Sequence, residues 1–182
     1  MARQTRLSAH QRSCELAIRI IYESLIYRYW LYREWHARLP VLGIIGLNPS
    51  TADEKLNDPT IRKEIGFVER WGYGAILKLN LYAYRATNPT ELFKAMKRGE
   101  NVVGGRRNHF DALGLYCRDF RVENILAAWG ARGGDRGLRV ARRIGKPLSC
   151  LARSKDGSPV HTLYIPYDRK TEPYNFTKES ST

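Results

Sequence analysis

With 182 residues and a hydrophobic share of 43%, the chain is long and apolar enough for one compact α/β domain with a real core. Thirty-one Lys and Arg against 18 Asp and Glu give a formal net charge of +13, which favours an anionic partner, nucleic acid first and a phosphorylated small molecule such as a nucleotide second. Three widely spaced cysteines without a Cys-x-x-Cys pair argue against a disulfide framework or zinc site. No apolar run reaches the ~18 residues of a membrane span, and the basic start lacks the apolar core of a signal peptide; a cytoplasmic protein with no membrane partner is expected.

In chain order, residues 1–13 read as a flexible basic arm, 14–169 as a single α/β domain and 170–182 as a polar, disordered tail. Between Cys14 and Leu25 a helical stripe (Leu16, Ile20, Ser24 beside Ala17, Ile21, Leu25) competes with a run of strand formers, and the stripe favours a helix. Tyr27 to Trp35 is an aromatic, Arg-rich strand, for which sheet packing is the commoner explanation and base stacking the functional one. Val41 to Ile45 is a short buried strand that empties at Gly46 and Pro49 into a cluster of small polar residues, Asn48, Ser50, Thr51 and Asp53. Asp58-Pro59 then opens a helix over 59–71, with Asp58 as cap and Pro59 at the first helical position.

The next strand, Ala75 to Ala83, carries Asn80 near its end, and a buried amide there needs a partner, be it a loop or a ligand. A loop over 84–89 leads to a helix at 90–97 capped by Thr90 or Asn88, and a further helix follows from Gly105 to Cys117. Val122 to Trp129 is another buried strand, and Gly133-Gly134 leads into a basic helix, 136–144, whose Arg136, Arg139 and Arg143 form either a phosphate-binding ridge or a solvated face. A last core strand runs from Leu148 to Ala152, with a turn at Lys155-Asp156-Gly157 before Val160-His161. Strands alternating with helices predict a three-layer α/β/α domain around a mainly parallel sheet, so that the segments 46–53, 80–89, 129–134 and 155–163 converge on one crevice at the strand ends.

The motifs LNPSTAD, DPTIR, WGYG, NLYAYRATNP, AWG and Gly-Ser-Pro-Val-His occur in this order between Tyr27 and Tyr164. Together they resemble the pattern of domain-of-unknown-function family 1643, whose name implies no activity. Thr162 stands where that pattern has Pro after the His. More remotely, the order is similar to the uracil-DNA glycosylase superfamily, in which a Gly-x-x-Pro loop positions water, a strand-end Asn reads the base and a late loop supplies a His. The counterparts here are Gly46-Leu47-Asn48-Pro49, Leu79-Asn80 and Val160-His161-Thr162-Leu163.

That resemblance implies an enzyme acting on a base or its N-glycosidic bond, with DNA the favoured nucleic acid. Such a reaction builds negative charge on the leaving base, which His161 would stabilise as a hydrogen-bond donor. Asn80, with Tyr84 beside it in sequence, would bind the base, the amide offering both a donor and an acceptor. Asn48 or Asp53 would hold the attacking water, and a carboxylate could serve as general base. Ser50, Thr51 and Arg85 would contact phosphates, with Arg136, Arg139 and Arg143 as an outer ridge, and Leu163 or Tyr164 could wedge into a duplex. Each has a plainer reading as a turn residue, cap or surface charge, and Asp58 is above all a cap. His10, His36 and His109 have no metal-ligand spacing, so no metal and no cofactor are expected. Two alternatives share the pocket: a non-catalytic nucleic-acid-binding protein and a base-modifying transferase.

Overall fold

The computed structural model describes residues 17–24, 26–50, 57–105 and 110–175. Seven strands, β1 (Ala17–Ser24), β2 (Tyr27–Glu34), β3 (Val41–Gly46), β4 (Ala75–Asn80), β5 (Val122–Ala127), β6 (Leu148–Cys150) and β7 (Glu172–Pro173), form one sheet in the order β1-β2-β4-β3-β5-β6-β7. Among the described residues four α-helices accompany it: α1 (Pro59–Arg70), α2 (Pro89–Lys97), α3 (Phe110–Asp119) and α4 (Gly134–Ile144). Among the described residues no helix is long and apolar enough to cross a membrane.

The sheet is mixed. Its centre, β4-β3-β5-β6, is parallel as expected. Its margins are not: β1 with β2, β2 with β4 and β6 with β7 pair antiparallel, so the expectation of a mainly parallel sheet holds for only half of the pairings. Two of the three antiparallel pairings involve misread segments. The described part of the stretch read as a helix is strand β1, paired along the aromatic strand β2; Ile and Tyr favour a sheet, and pairing with a ready strand overrides a helical stripe. The segment read as a tail contributes β7, and Tyr174 beyond it is buried edge-on against Trp129, with ring centroids 5.6 Å apart.

Period-two alternation along the strands divides the core into two clusters on opposite faces. Ile45, Leu77 and Ile125 pack with Leu92 of α2, Cys117 of α3 and Val140 of α4. Ile44, Ile76 and Leu126 pack with Ile61, Phe67 and Val68 of α1 and with Ile165. The aromatics Tyr29, Trp30 and Tyr32 of β2 are buried, so that strand is used for packing and is not a stacking platform. Cys117 and Cys150 are buried too, and burial pushes each thiol up to about 11, the behaviour of core thiols rather than nucleophiles.

Local chemistry sets the helix starts. Asp58 caps α1 by accepting from the Ile61 N–H at 2.8 Å, with Pro59 at the first position. Asn88 rather than Thr90 caps α2, accepting from the Thr90 N–H at 2.9 Å. At the start of α4 the constraint is steric. A Cβ on Gly133 would stand 2.1 Å from the Trp129 ring, and one on Gly137 2.4 Å from its Nε1. Gly133 and Gly137, one helical turn apart, are thus the seat for the indole.

This contact predicts opposite outcomes for two similar substitutions. Gly137→Ala should destabilise by about 1–3 kcal/mol through overpacking, although alanine is ordinarily the better helix former. Gly114→Ala in α3, with no described atom within 4 Å of the new methyl, should stabilise by about 0.5–1 kcal/mol. Denaturant titration of both variants checks the pair; equal effects would remove the indole seat from the account.

Candidate functional site

The loops that follow β3, β4 and β5 and the segment around His161 line one cavity of about 420 Å³, within the usual range for small-molecule sites. Its position follows from the parallel sheet, whose strands end together and whose loops meet above them. Gly46 lies opposite Asn80 in the β3–β4 register, so the two strands reach the cavity at the same level. Beyond that level the loops are laced by backbone bonds, Leu81 N–H to Gly46 O at 2.9 Å, Tyr82 N–H to Leu47 O at 3.0 Å and Gly130 N–H to Pro159 O at 2.9 Å. Asn48 completes the lacing. Its Nδ2 donates to Pro49 O at 3.0 Å and to Ala86 O at 2.8 Å, which leaves Oδ1 as the atom with capacity for a water or ligand.

The floor is formed by one face of β4. Lys78 and Asn80, two residues apart, project to the same side. Asn80 is 1% exposed, and neither its Nδ2 nor its Oδ1 has a hydrogen-bond partner among the described residues. Buried amides are nearly always satisfied, and leaving one unmade costs about 1–3 kcal/mol. Lys78 is also buried and is paired with Glu64 of α1, whose Oε1 accepts a second bond from the Thr162 hydroxyl at 3.1 Å. A Cβ on Gly46 would come 3.0 Å from both Lys78 Nζ and Asn80 Oδ1, closer than ordinary packing, so the glycine keeps room for the two polar ends beside this strand end. Arg28, Trp129 and Arg132 complete the wall.

At the mouth, His161 is exposed on one side and enclosed by the cavity on the other. Its Nδ1 accepts from the Leu163 N–H at 3.3 Å, which places the proton of the neutral ring on Nε2 as a donor. Loss of hydration, and after it the Lys78 charge, lower its pKa from the ordinary histidine value, with Glu64 and Asp58 opposing. Thr162 to Tyr164 form a 3₁₀ turn beside it; Leu163 and Tyr164 both line the cavity, and Tyr164 is 88% exposed.

The other expected site residues fall in different places. Thr51 and Asp53 lie outside the described residues. The Ser50 hydroxyl donates to the Asp58 carboxylate, so it ties its loop to the α1 cap instead of standing ready for a phosphate. Tyr84 is not brought to the cavity; it packs edge-on against Tyr27 with centroids 6.4 Å apart, and neighbouring Arg85 is absent from the lining too. Arg136 does not share a ridge with Arg139 and Arg143. Its Nε donates to Leu81 O at 2.6 Å and its guanidinium covers the Tyr82 ring, and desolvation lowers its pKa. Arg139 and Arg143 are exposed on the outside of α4.

Lys78, Glu64, Arg28 and Arg132 were not legible as site residues from the sequence alone, although two of them left a signal. Lys78 falls at the same-face position two before Asn80, and Glu64 interrupts the apolar stripe of α1 between Ile61 and Phe67. A charge in either place requires a buried partner. A second, more open cavity of about 660 Å³ lies at the other ends of the strands, by Leu42, Asn124 and Leu148. It is the larger of the two but has Glu172 as its one charged lining residue, so the polar convergence that marks a site belongs to the smaller cavity.

The depressed His161 pKa fixes a pH dependence. An unfolded histidine titrates near ~6.5, so the unfolded chain takes up this proton first as pH falls. The residue's contribution to stability is therefore complete above about pH 6.5 and declines below it. Histidine-ring NMR should find His161 titrating below a model peptide, and Glu64→Gln should lower it further by removing a favourable charge. A normal or raised value would contradict this environment.

No curated protein and no solved structure shows significant similarity to the chain. A family model does match, over residues 28–163, from the buried arginine of β2 to the turn after His161. That span holds most of the sheet and every described wall of the cavity except Tyr164, and the chain belongs to the family described as Protein of unknown function (DUF1643).

Proposed function

We propose that this protein acts on nucleic acid as a uracil-DNA-glycosylase-like enzyme, holding a single base in the cavity and cleaving or altering it there. The observation that carries the reading is Asn80, a fully buried amide whose polar ends have no partner among the described residues, at the floor of a base-sized cavity. An amide matches the paired donors and acceptors on the edge of a base, and a base taken out of its stack would supply those partners. The division of the core into two faces, with α1 on one and α2 to α4 on the other, supports the three-layer arrangement of that superfamily.

In this reading His161, neutral at pH 7, donates from Nε2 to a carbonyl oxygen of the base as negative charge develops on it. Asn48 orients the attacking water through Oδ1, since its amide hydrogens are committed to the loops. Tyr164, exposed beside the mouth, fills the gap that the extruded base leaves. Arg132 at the rim and Arg139 and Arg143 on α4 contact the phosphates.

One observation favours the alternatives of binding alone or base modification in the same pocket. Asp58 is the one carboxylate among the described lining residues, and its oxygens already accept from the Ser50 hydroxyl and the Ile61 N–H, so it is poorly placed to be a general base.

Incubation with single- and double-stranded DNA carrying uracil, hydroxymethyluracil or a mismatch, followed by alkaline cleavage at abasic sites, separates these readings. Glycosylase action predicts strand breaks, reduced about 10²–10³-fold by His161→Ala, the loss typical of removing one oxyanion donor, and comparably by Asn80→Ala, with salt-sensitive DNA retention intact in both. Retention without breaks, lost on neutralising Arg139 and Arg143, would overturn catalysis on these substrates in favour of binding.

A further inference from the structure

The pairing of Lys78 with Glu64 has no role in the reaction outlined above and is more than the fold requires. The residues that share its face of the sheet, Ile44 opposite it on β3 and Ile76 before it on β4, are apolar and fully buried. A buried ion pair is often no more stabilising than a well-packed apolar replacement of the same volume, so a leucine at Lys78 would serve the core. The ammonium instead stands on the cavity wall. Among the described residues it donates to Glu64, and an ammonium has three N–H groups. The open amide of Asn80 flanks the same bare backbone at Gly46. Arg28, itself 1% exposed, lines the same cavity, and Arg132 stands at its rim. Asp58 is engaged by Ser50 and Ile61, and Glu64 Oε1 by Lys78 and Thr162, while Glu64 Oε2 and Asn80 Oδ1 have no partner among the described residues. Against Asp58 and the paired Glu64, the cations Arg28, Lys78 and Arg132 leave the wall positive in sign.

We propose that Lys78 and Asn80 form an anion-receiving subsite on the cavity floor, whose ligand is a carbonyl-bearing heterocycle held in its ionised form. The proposal rests on the base-pocket reading and names the chemical state of the base. In hydrolysis the bond from the sugar carbon to the base nitrogen breaks with both electrons passing to the base, where the charge spreads onto the ring oxygens. The water oxygen bonds to the sugar carbon and its proton leaves to solvent; the base takes a proton from solvent on its ring nitrogen after release. Lys78 serves as the counter-ion of the departing base, which makes it a catalytic residue alongside His161. Glu64 is its positioning residue, and through Thr162 the same carboxylate holds the turn that carries His161.

The test uses the full chain and free bases, by calorimetry at neutral pH. Uracil, 5-fluorouracil and 5-nitrouracil keep the same carbonyls while the ring N–H becomes progressively more acidic; cytosine is the control with one carbonyl replaced. Affinity should rise along the series by at least about tenfold, as a charge-assisted bond requires. The double variant Lys78→Met/Glu64→Gln, which leaves no lone buried charge, should flatten that rise while still binding uracil. If the double variant does not fold, the unaltered protein decides alone: its affinity for 5-fluorouracil should strengthen as pH rises through the ligand's own ionisation. Equal affinity along the series, or a preference for the neutral member, overturns the anion subsite and leaves the base pocket standing. Binding of no base at all overturns both.

Discussion

The register of β3 against β4 is the constraint on which the site depends. Parallel pairing sets Gly46 directly opposite Asn80 at the carboxyl ends of both strands. One strand thus brings its polar loop, and the other its buried amide, to the same level. A slip of one residue would turn Lys78 and Asn80 to the opposite face, among Leu92 and Val140, and replace them with Leu77 and Leu79. The apolar alternation that packs two faces of helices is therefore also what aims two polar side chains into one cavity. The glycine leaves the space beside it to the polar ends of Lys78 and Asn80.

A second tier of interactions holds the mouth to the floor. Glu64 reaches from α1 to Lys78 on β4 and to Thr162 in the turn after His161, so one carboxylate joins helix, sheet and loop. This gives Thr162 a physical role in the turn. Proline would restrict the turn through its ring but could not donate to Glu64, whereas the threonine hydroxyl fixes the turn by a buried hydrogen bond. On the far side, Trp129 fills the notch made by Gly133 and Gly137 and is covered by Tyr174, which sets the height of the Gly130 to Arg132 wall.

Much of this was legible in the sequence where the cause is local. The Asp58-Pro59 start of α1, the buried run of β3 and the amide at the end of β4 follow from capping, hydrophobicity and the cost of an unsatisfied polar group, and all are properties of short windows. What was not legible depends on pairing at a distance. β1 carries a helical stripe and is a strand because β2 lies beside it. β7 is two residues of a polar segment, fixed by an edge of the sheet and an aromatic anchor. Arg136 reads as one of three ridge arginines, yet a carbonyl at Leu81 lies within its reach and draws it inward. Lys78 and Glu64 are fourteen residues apart, and only the packing of α1 on the sheet brings them together.

The account stands most directly on whether the Asn80 amide meets a ligand. Its side-chain NH₂ resonances, assigned by comparison with Asn80→Asp, can be followed while a short single-stranded DNA is titrated into isotope-labelled protein. The account predicts that these two resonances shift and saturate together with the His161 ring signals. Saturable binding that shifts the Arg139 and Arg143 face of α4 while the Asn80 amide stays unmoved would contradict it.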